Sequence, residues 1–183
     1  RAVEALRQAG FDGRITLIGE EPWRPYERPP LSKEVLWNPA NLPDNFFLHD
    51  DAWYAENRID MRLGARAEAL DLAAGGVRLA GGELIPADRI LLATGGSARR
   101  LNMEGADAAN VHYLRTRDDA TRMAADLKDG ARILVVGMGV IGAEVAASGL
   151  KRGCQVTAIE PLGGGMRRAL GPQFGEWVGE EDR

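Results

Sequence analysis

Short apolar runs and one longer segment with helical spacing alternate in the second half of this chain. Residues 133–136 and 155–159 are runs of mainly apolar side chains, the pattern of buried β-strands. Between them apolar residues recur at helical spacing, at Val140, Ile141, Val145, Ala146 and Leu150. Gly153 follows and is a typical helix terminator. The pattern predicts a β-strand, an α-helix and a second β-strand, in that order.

The turn before this helix carries Gly137, Gly139 and Gly142 in a GxGxxG spacing. In dinucleotide-binding units the first glycine permits a tight turn, the second lets a pyrophosphate approach the backbone, and the third lets helix and strand pack closely. The free amides and the positive dipole end of the helix, which opens at Val140 and Ile141, attract an anion. The sequence therefore predicts a dinucleotide site here.

Glu160 directly follows the second strand and lies 23 residues after Gly137. This is close to the spacing of about 20 residues expected for the acid that binds a ribose 2′-hydroxyl. A carboxylate accepts hydrogen bonds from hydroxyls but repels a 2′-phosphate, so the residue favours NADH over NADPH. A basic residue directly after it would reverse this inference, and the next residue is Pro161.

The first residues of the chain repeat part of the same order of elements, namely a helix, a glycine, a strand and an acid. Apolar side chains share one helical face, at Ala2, Val3, Ala5 and Leu6, and Gly10 follows as a terminator. Residues 14–18 are a predicted strand that ends in Gly19 and Glu20. We interpret this as the end of a first nucleotide-binding unit whose first strand and glycine turn are missing upstream. The predicted fold class is α/β, with two incomplete Rossmann-like, three-layer nucleotide-binding domains.

The middle of the chain shows the alternation of apolar and polar residues that is typical of β-strands. Residues 66–93 contain short alternating runs separated by Gly75-Gly76 and Gly81-Gly82, which predicts a small antiparallel β-meander in the first domain. Residues 89–92 are predicted to form a buried strand. The turn after it, residues 93–96, is either a place where backbone approaches a ligand or a plain strand exit.

Thr116 and Asp119 predict a capped helix that runs through Lys128. We place the domain boundary between residues 113 and 114, so that the domains span 1–113 and 114–183. A glycine run at residues 163–165 precedes a segment compatible with a helix, residues 166–183.

Composition narrows the class of function. A hydrophobic share of 45% is ordinary for a folded core, and a net charge of −4 without a basic cluster argues against nucleic acid or an anionic membrane as partner. No run of about 18 apolar residues is present, which together with the lack of a visible signal peptide predicts a cytoplasmic protein. Cys154 is the only cysteine, so dithiol chemistry within the chain is excluded, and His49 and His112 are too isolated to predict a metal site.

Residues 25–33, Pro-Tyr-Glu-Arg-Pro-Pro-Leu-Ser-Lys, hold basic side chains among prolines that fix the backbone. From composition alone, a solvated surface loop explains them as well as a phosphate contact does.

The sequence, however, resembles the FAD-dependent pyridine nucleotide reductases, and most closely the ferredoxin–NAD reductase components of bacterial aromatic-ring dioxygenase and P450 systems. The resemblance is carried by this block, by residues 15–20, 92–96 and 113–116, and by the unit from Gly137 to Glu160.

The resemblance implies a role for each matching position. The implied FAD contacts are Glu20 at the adenosine ribose, Arg28 and Lys33 along the pyrophosphate and flavin, Ala67 at the adenine, the turn residues Ala93, Thr94 and Gly95, and Arg115. The implied NAD contacts are Gly137, Gly139, Val140, Ile141, Gly142 and Glu160. Glu144 matches a family acid near nicotinamide and flavin, and we expect it to be catalytic with Lys33. The alternative for Glu144 is an acid in the first turn of a helix, stabilised by the dipole.

On this resemblance, residues 1–113 are a partial FAD domain and residues 114–183 a partial NAD domain. The implied reaction is hydride transfer from NADH to flavin N5, followed by single-electron transfer to an iron–sulfur ferredoxin or rubredoxin. The family's first GxGxxG, a later flavin-contacting strand and a C-terminal domain have no counterpart here, so we expect the chain alone to bind FAD poorly. The alternatives are an apoptosis-inducing-factor-like flavoprotein and a non-catalytic nucleotide-binding remnant; the single cysteine disfavours a disulfide reductase.

Overall fold

The computed structural model describes residues 1–161, 165–166, 170–171 and 173. The chain divides into two compact units, one formed by Arg1–Glu27 and Asn45–Gly96 and the other by Arg28–Asp44 and Ser97–Arg183. Residues 28–44 thus group with the later part of the chain. The domain boundary between residues 113 and 114 stays a prediction, and the predicted helix after the glycine run lies almost entirely outside the described residues.

The first unit contains a parallel pair of strands. Helix α1 (Ala2–Gln8) leads to β1 (Ile15–Gly19), and α3 (Asp51–Glu56) leads to β2 (Ile59–Leu63), with Ile15 opposite Ile59 in the register. Ile15, Tyr54 and Ile59 form a buried cluster beneath these elements. The predicted helix and strand at the start of the chain are confirmed.

The predicted meander is also confirmed. Strands β3 (Ala67–Asp71), β4 (Gly76–Leu79) and β5 (Leu84–Pro86) form an antiparallel sheet in the order β3-β4-β5. One face of this sheet is buried through Val77, Leu79 and Ile85. Its turns use the glycines that the sequence singled out, with positive φ at Gly75 and Gly81.

The predicted buried strand at residues 89–92 is wrong. The segment has no regular structure, and Leu91 and Leu92 are 71% and 63% exposed. An apolar run becomes a strand only where a neighbouring strand supplies hydrogen-bond partners, and none of the strands in the described part of the chain pairs with it.

The second unit begins with a 3-10 helix, Pro29–Ser32, followed by the short helix α2 (Glu34–Trp37). Pro29 and Pro30 occupy the first positions of the 3-10 helix, where a missing N–H is tolerated and the fixed φ of proline is compatible with helical geometry.

The remainder of this unit is the predicted βαβ unit. Helix α4 (Arg117–Asp126) precedes β6 (Arg132–Val136), α5 (Val140–Lys151) and β7 (Gln155–Ile159). Strands β6 and β7 are parallel, with Arg132 opposite Gln155. The α/β fold class is therefore confirmed. No helix in the part of the chain that the structure describes is long and apolar enough to cross a bilayer.

Candidate functional site

The glycine turn joins the end of β6 to the start of α5. Gly137 has a φ of +94°, a conformation that favours glycine, and its N–H donates to the carbonyl of Ile159 at 2.7 Å. Gly139 is the N-cap of α5 and offers no side chain to the first amides of the helix. Because an α-helix leaves its first four N–H groups without partners inside the helix, this end is suited to an anion.

The space around the other two glycines differs. A Cβ at Gly142 would lie 1.9 Å from the carbonyl oxygen of Gly137, whereas a Cβ at Gly139 would meet nothing within 4 Å. Gly142 is thus required for close packing inside the protein, and the backbone at Gly139 is open to an approaching group. These are the two properties that a pyrophosphate site needs from these positions, so the residues present fit a dinucleotide.

Glu160, directly after β7, lies against this turn. Its carboxylate oxygen Oε2 accepts a hydrogen bond from the backbone N–H of Met138 at 2.8 Å, and the residue is half-buried. The contact holds a negative charge beside the open backbone of Gly139. A 2′-phosphate brought to this carboxylate would be repelled, as the sequence predicted.

Lys33 and Glu144, the two predicted catalytic residues, are in contact. The Lys33 ammonium Nζ lies 2.9 Å from Glu144 Oε1, and the Ser32 hydroxyl donates to Glu144 Oε2. About a third of the Lys33 side chain and a quarter of the Glu144 side chain remain exposed. Both oxygens of the carboxylate are therefore engaged by the segment that carries the basic motif.

The surroundings of Glu144 keep it ionised. Burial alone would raise the pKa of this carboxyl, but the hydrogen bonds from Ser32 and Lys33 and the charge of Lys33 outweigh burial and hold the pKa below its ordinary value. Glu144 is thus a hydrogen-bond acceptor and a charge partner rather than a proton donor near neutral pH. The first turn of α5 contains no acidic residue, so the alternative that the helix dipole explains Glu144 is wrong.

Arg28 and Arg115, both predicted FAD contacts, also meet. Arg28 Nη1 donates to the backbone carbonyl of Arg115 at 2.6 Å. The backbone N–H groups of Arg115 and Thr116 both donate to the carboxylate of Asp119, at 3.1 and 2.8 Å. Thr116 and Asp119 form the capping box that the sequence predicted. The loop that presents Arg115 is therefore fixed by the start of α4.

The predicted FAD contacts of the first unit are more exposed. Glu20 is paired with Arg66 at 2.7 Å, and both side chains are more than 60% exposed. Ala67 begins β3 directly after this arginine, and residues 93–95 are exposed and irregular, with a φ of +67° at Gly95. Glu20 thus holds a cation at its carboxylate, and a ribose there would share or displace it.

Sequence reasoning missed several polar residues around the predicted site. Ser32 lies inside the motif, but its hydroxyl was not assigned a partner. Ser148 and Arg152 follow Glu144 at intervals of four residues, and that spacing on a largely apolar helix was an available signal. In the described part of the chain, no group of three or more His, Cys, Asp or Glu residues is arranged to hold a metal ion.

The chain is similar to a family of known proteins and to individual members of it. A family model described as pyridine nucleotide-disulphide oxidoreductase matches residues 1–182. The ferredoxin–NAD(+) reductase component of the biphenyl dioxygenase system of Paraburkholderia xenovorans is 39% identical over 180 residues, which are 98% of this chain and 44% of that protein. The ferredoxin–NAD(+) reductase component of the p-cumate 2,3-dioxygenase system of Pseudomonas putida is 43% identical over 165 residues, 90% of this chain and 40% of that protein.

A solved structure gives the same result. The crystal structure of a ferredoxin reductase from Rhodopseudomonas palustris is similar with a TM-score of 0.90 at 31% identity, over 98% of this chain and 44% of that one. The resemblance inferred from the sequence motifs is confirmed. The chain spans less than half the length of these curated relatives.

Proposed function

Because the chain belongs to the pyridine nucleotide-disulphide oxidoreductase family, we propose that it is part of a flavoprotein reductase. The reductase passes electrons from NADH through FAD to an iron–sulfur protein of the ferredoxin or rubredoxin type. The observation that carries the proposal is the Lys33–Glu144 ion pair, which joins the basic motif to the helix that follows the glycine turn. Relatives named as ferredoxin–NAD(+) reductase components match almost the whole chain and support it.

In this proposal the second unit holds NADH at the glycine turn. The open backbone at Gly139 and the amides at the start of α5, with Val140 and Ile141, receive the pyrophosphate. The Glu160 carboxylate accepts hydrogen bonds from a ribose. These residues bind and orient the dinucleotide; they do not themselves exchange electrons with it.

The FAD contacts that belong to the proposal are those implied by the resemblance. In the first unit they are Glu20, Ala67, Ala93, Thr94 and Gly95. In the second unit they are Arg28, Lys33 and Arg115. Arginine and lysine suit this role because a pyrophosphate is an anion. When bound, FAD supplies the chemistry that links a two-electron hydride donor to a one-electron acceptor.

The Lys33–Glu144 pair positions charge. Glu144 binds the Lys33 ammonium and restricts its rotamers, so that the cation is presented in one direction. A cation in fixed orientation beside a reacting group is worth more than a mobile one, because it requires no reorganisation during the reaction. We propose that this pair lies at the place where nicotinamide and flavin meet.

The partner and the location belong to the same proposal. A ferredoxin or rubredoxin is the acceptor, and a cytoplasmic location follows from a supply of NADH. The apoptosis-inducing-factor-like alternative is the less favoured one, because the relatives from the biphenyl and p-cumate dioxygenase systems are named as ferredoxin–NAD(+) reductase components. A non-catalytic remnant is distinguished from a reductase by experiment.

The first test is the visible spectrum of the purified protein after incubation with FAD and gel filtration, then its bleaching by NADH under argon. We expect the chain to retain little flavin, and we expect the flavin that it does retain to be bleached by NADH, more slowly in Lys33→Met. Ser97→Ala, an exposed serine of the same unit, is the control. Retained flavin that NADH does not bleach would contradict the reductase proposal and favour the remnant.

A second test addresses the choice of dinucleotide. In Glu160→Gln the repulsion of a 2′-phosphate is removed, so we expect the preference for NADH over NADPH to fall about tenfold, measured as the ratio of the two dissociation constants. An unchanged ratio would show that Glu160 does not set the preference.

A further inference from the structure

Helix α5 and its C-cap residue Arg152 carry a row of polar side chains that all reach the segment formed by residues 29–37. Glu144, Ser148 and Arg152 follow one another at intervals of four residues, so they lie on one face of the helix. Glu144 contacts the side chains of Ser32 and Lys33. The other two bind main-chain carbonyls of the same segment, as described next. We name these three residues the polar row of α5.

Ser148 is the middle residue of the polar row. Its hydroxyl Oγ donates to the backbone carbonyl of Ser32 at 2.7 Å, across 116 residues of sequence. Ser148 is fully buried and Ser32 is 4% exposed, so water does not substitute for this hydrogen bond. A buried hydroxyl without a partner is costly, and here the partner is the peptide group directly before Lys33.

Arg152 is the end of the row and holds the same segment one helical turn further on. Its guanidinium Nη1 donates to the carbonyl of Leu36 at 2.7 Å. Next to it, the Lys151 ammonium lies 3.6 Å from the centroid of the Trp37 ring. Residues 29–37 are thus tied to α5 at several points along their length. These contacts differ in kind, but all of them come from α5 and its C-cap residue.

These contacts constrain the catalytic pair indirectly. Ser32 presents its carbonyl to Ser148 and its hydroxyl to Glu144, so one residue is held at two points of the same helix. The peptide bond that follows leads to Lys33, which binds the other oxygen of Glu144. Loss of the Ser148 bond would free the Ser32 carbonyl and loosen both donors to the carboxylate.

We propose that Ser148 is a positioning residue for the Lys33–Glu144 pair: by holding the Ser32 carbonyl, it keeps the Ser32 hydroxyl and the Lys33 ammonium on the two oxygens of Glu144. Its consequence for hydride transfer rests on the function proposed above. The positioning itself does not, and it can be tested without any cofactor. Ser148 touches no reacting atom in this proposal and acts only through Ser32.

The first experiment titrates Glu144 by ¹³C NMR of glutamate side-chain carboxyls in the intact protein. The two donors lower the pKa of Glu144, so Ser148→Ala is expected to raise it toward its ordinary value. Ser97→Ala removes the same atom from an exposed position and should leave this titration unchanged. An unaltered Glu144 titration in a folded Ser148→Ala protein would overturn the proposal, because a purely structural serine would affect stability alone.

A second variant, Ser148→Cys, tests the proposal if Ser148→Ala does not fold. Ser148→Cys fills the buried space while offering only a weak S–H donor, so it should raise the pKa of Glu144 in the same direction. If Ser148→Cys is folded and titrates like the wild type, the hydroxyl is not the positioning group and the proposal fails.

The second experiment measures hydride transfer in the FAD-loaded protein by stopped flow. We expect Ser148→Ala to lower the transfer rate constant about tenfold with an unchanged dissociation constant for NADH, less than the roughly hundredfold loss that a 1 Å displacement can cause. In a Lys33→Met background the same substitution should have no further effect. Multiplicative losses would show independent action and overturn the link through Lys33. If no variant transfers hydride at all, the proposed function fails while the NMR titration still decides the positioning role.

Discussion

At the scale of single residues, the main finding is that Lys33 and Glu144 form one unit rather than two separate site residues. Ser32 completes the set by binding the second carboxylate oxygen. Both carboxylate oxygens of Glu144 accept hydrogen bonds from the same short segment. Glu144 therefore fixes the orientation of this segment, and the segment fixes the orientation of Glu144. The pair therefore stabilises the fold of residues 29–37, and its role in presenting the charge of Lys33 to a cofactor stays a proposal.

This pairing predicts how stability depends on pH. The pKa of Glu144 is lowered in the folded protein, so its contribution to the free energy of unfolding is present above the ordinary value of 4.5 and is lost as the pH falls through the folded value. We expect Glu144→Gln to be less stable than the wild type by about 1 kcal/mol at pH 7, since the pair is partly exposed. The difference should shrink as the pH falls below 4.5.

The measurement is urea unfolding at several pH values between neutral and acid. Glu104→Gln, which removes a charge from an exposed position of the same unit, serves as the control. A Glu144→Gln protein whose deficit stays constant down to low pH would show that the ion pair contributes nothing that depends on ionisation.

At the scale of elements, two glycines in the turn between β6 and α5 are required for different reasons. Gly142 lies where the helix crosses close to the carbonyl of Gly137, so its lack of a side chain serves packing. Gly139 lies where nothing in the protein approaches, so its lack of a side chain serves a ligand. The GxGxxG spacing alone does not distinguish these roles.

The difference predicts opposite outcomes for two alanine substitutions. Gly142→Ala should lower the free energy of unfolding by about 1–3 kcal/mol despite the better helix propensity of alanine, because its Cβ would meet a backbone oxygen. Gly139→Ala should cost about 1 kcal/mol or less, as expected for an N-cap, but weaken NADH binding. Thermal unfolding and NADH titration of both variants test this. A Gly139→Ala protein with wild-type affinity would contradict the pyrophosphate assignment.

At the scale of the whole molecule, the described part of the chain covers the β6–β7 sheet of the second unit on one face only. Val135 is buried on the side of α5, whereas Leu134, Val136 and Ile159 on the other face are 57%, 51% and 49% exposed. Parallel strands are normally buried on both faces. An apolar sheet face of this kind favours association.

We therefore expect the 183-residue chain, purified by itself, to self-associate. The double variant Leu134→Thr, Ile159→Thr makes this face more polar and should shift the chain toward the monomer in sedimentation velocity runs at two concentrations. Leu150→Thr changes an equally exposed leucine on α5 and should have no such effect. A wild-type chain that is monomeric at both concentrations would contradict the prediction.

The sequence was sufficient where the signal is local. The strand at residues 155–159, the helix from Val140 and the capping box at Thr116 all match the structure, because periodicity, glycine conformation and capping are properties of a few neighbouring residues. The strand predicted at residues 89–92 failed for the opposite reason. An apolar run states that a segment is to be buried, but not which strand pairs with it.

Composition, spacing and motifs were thus enough to predict the α/β class and the family, and they also named the candidate site residues. The arrangement of those residues in space comes from tertiary packing. The contact of Ser32 with Glu144 spans 112 residues and that of Ser148 with Ser32 spans 116, and no local pattern encodes a hydrogen bond between residues so far apart. Such contacts arise because packing the apolar residues of α5 carries its polar row to residues 29–37, which is a property of the folded chain and not of any segment of it.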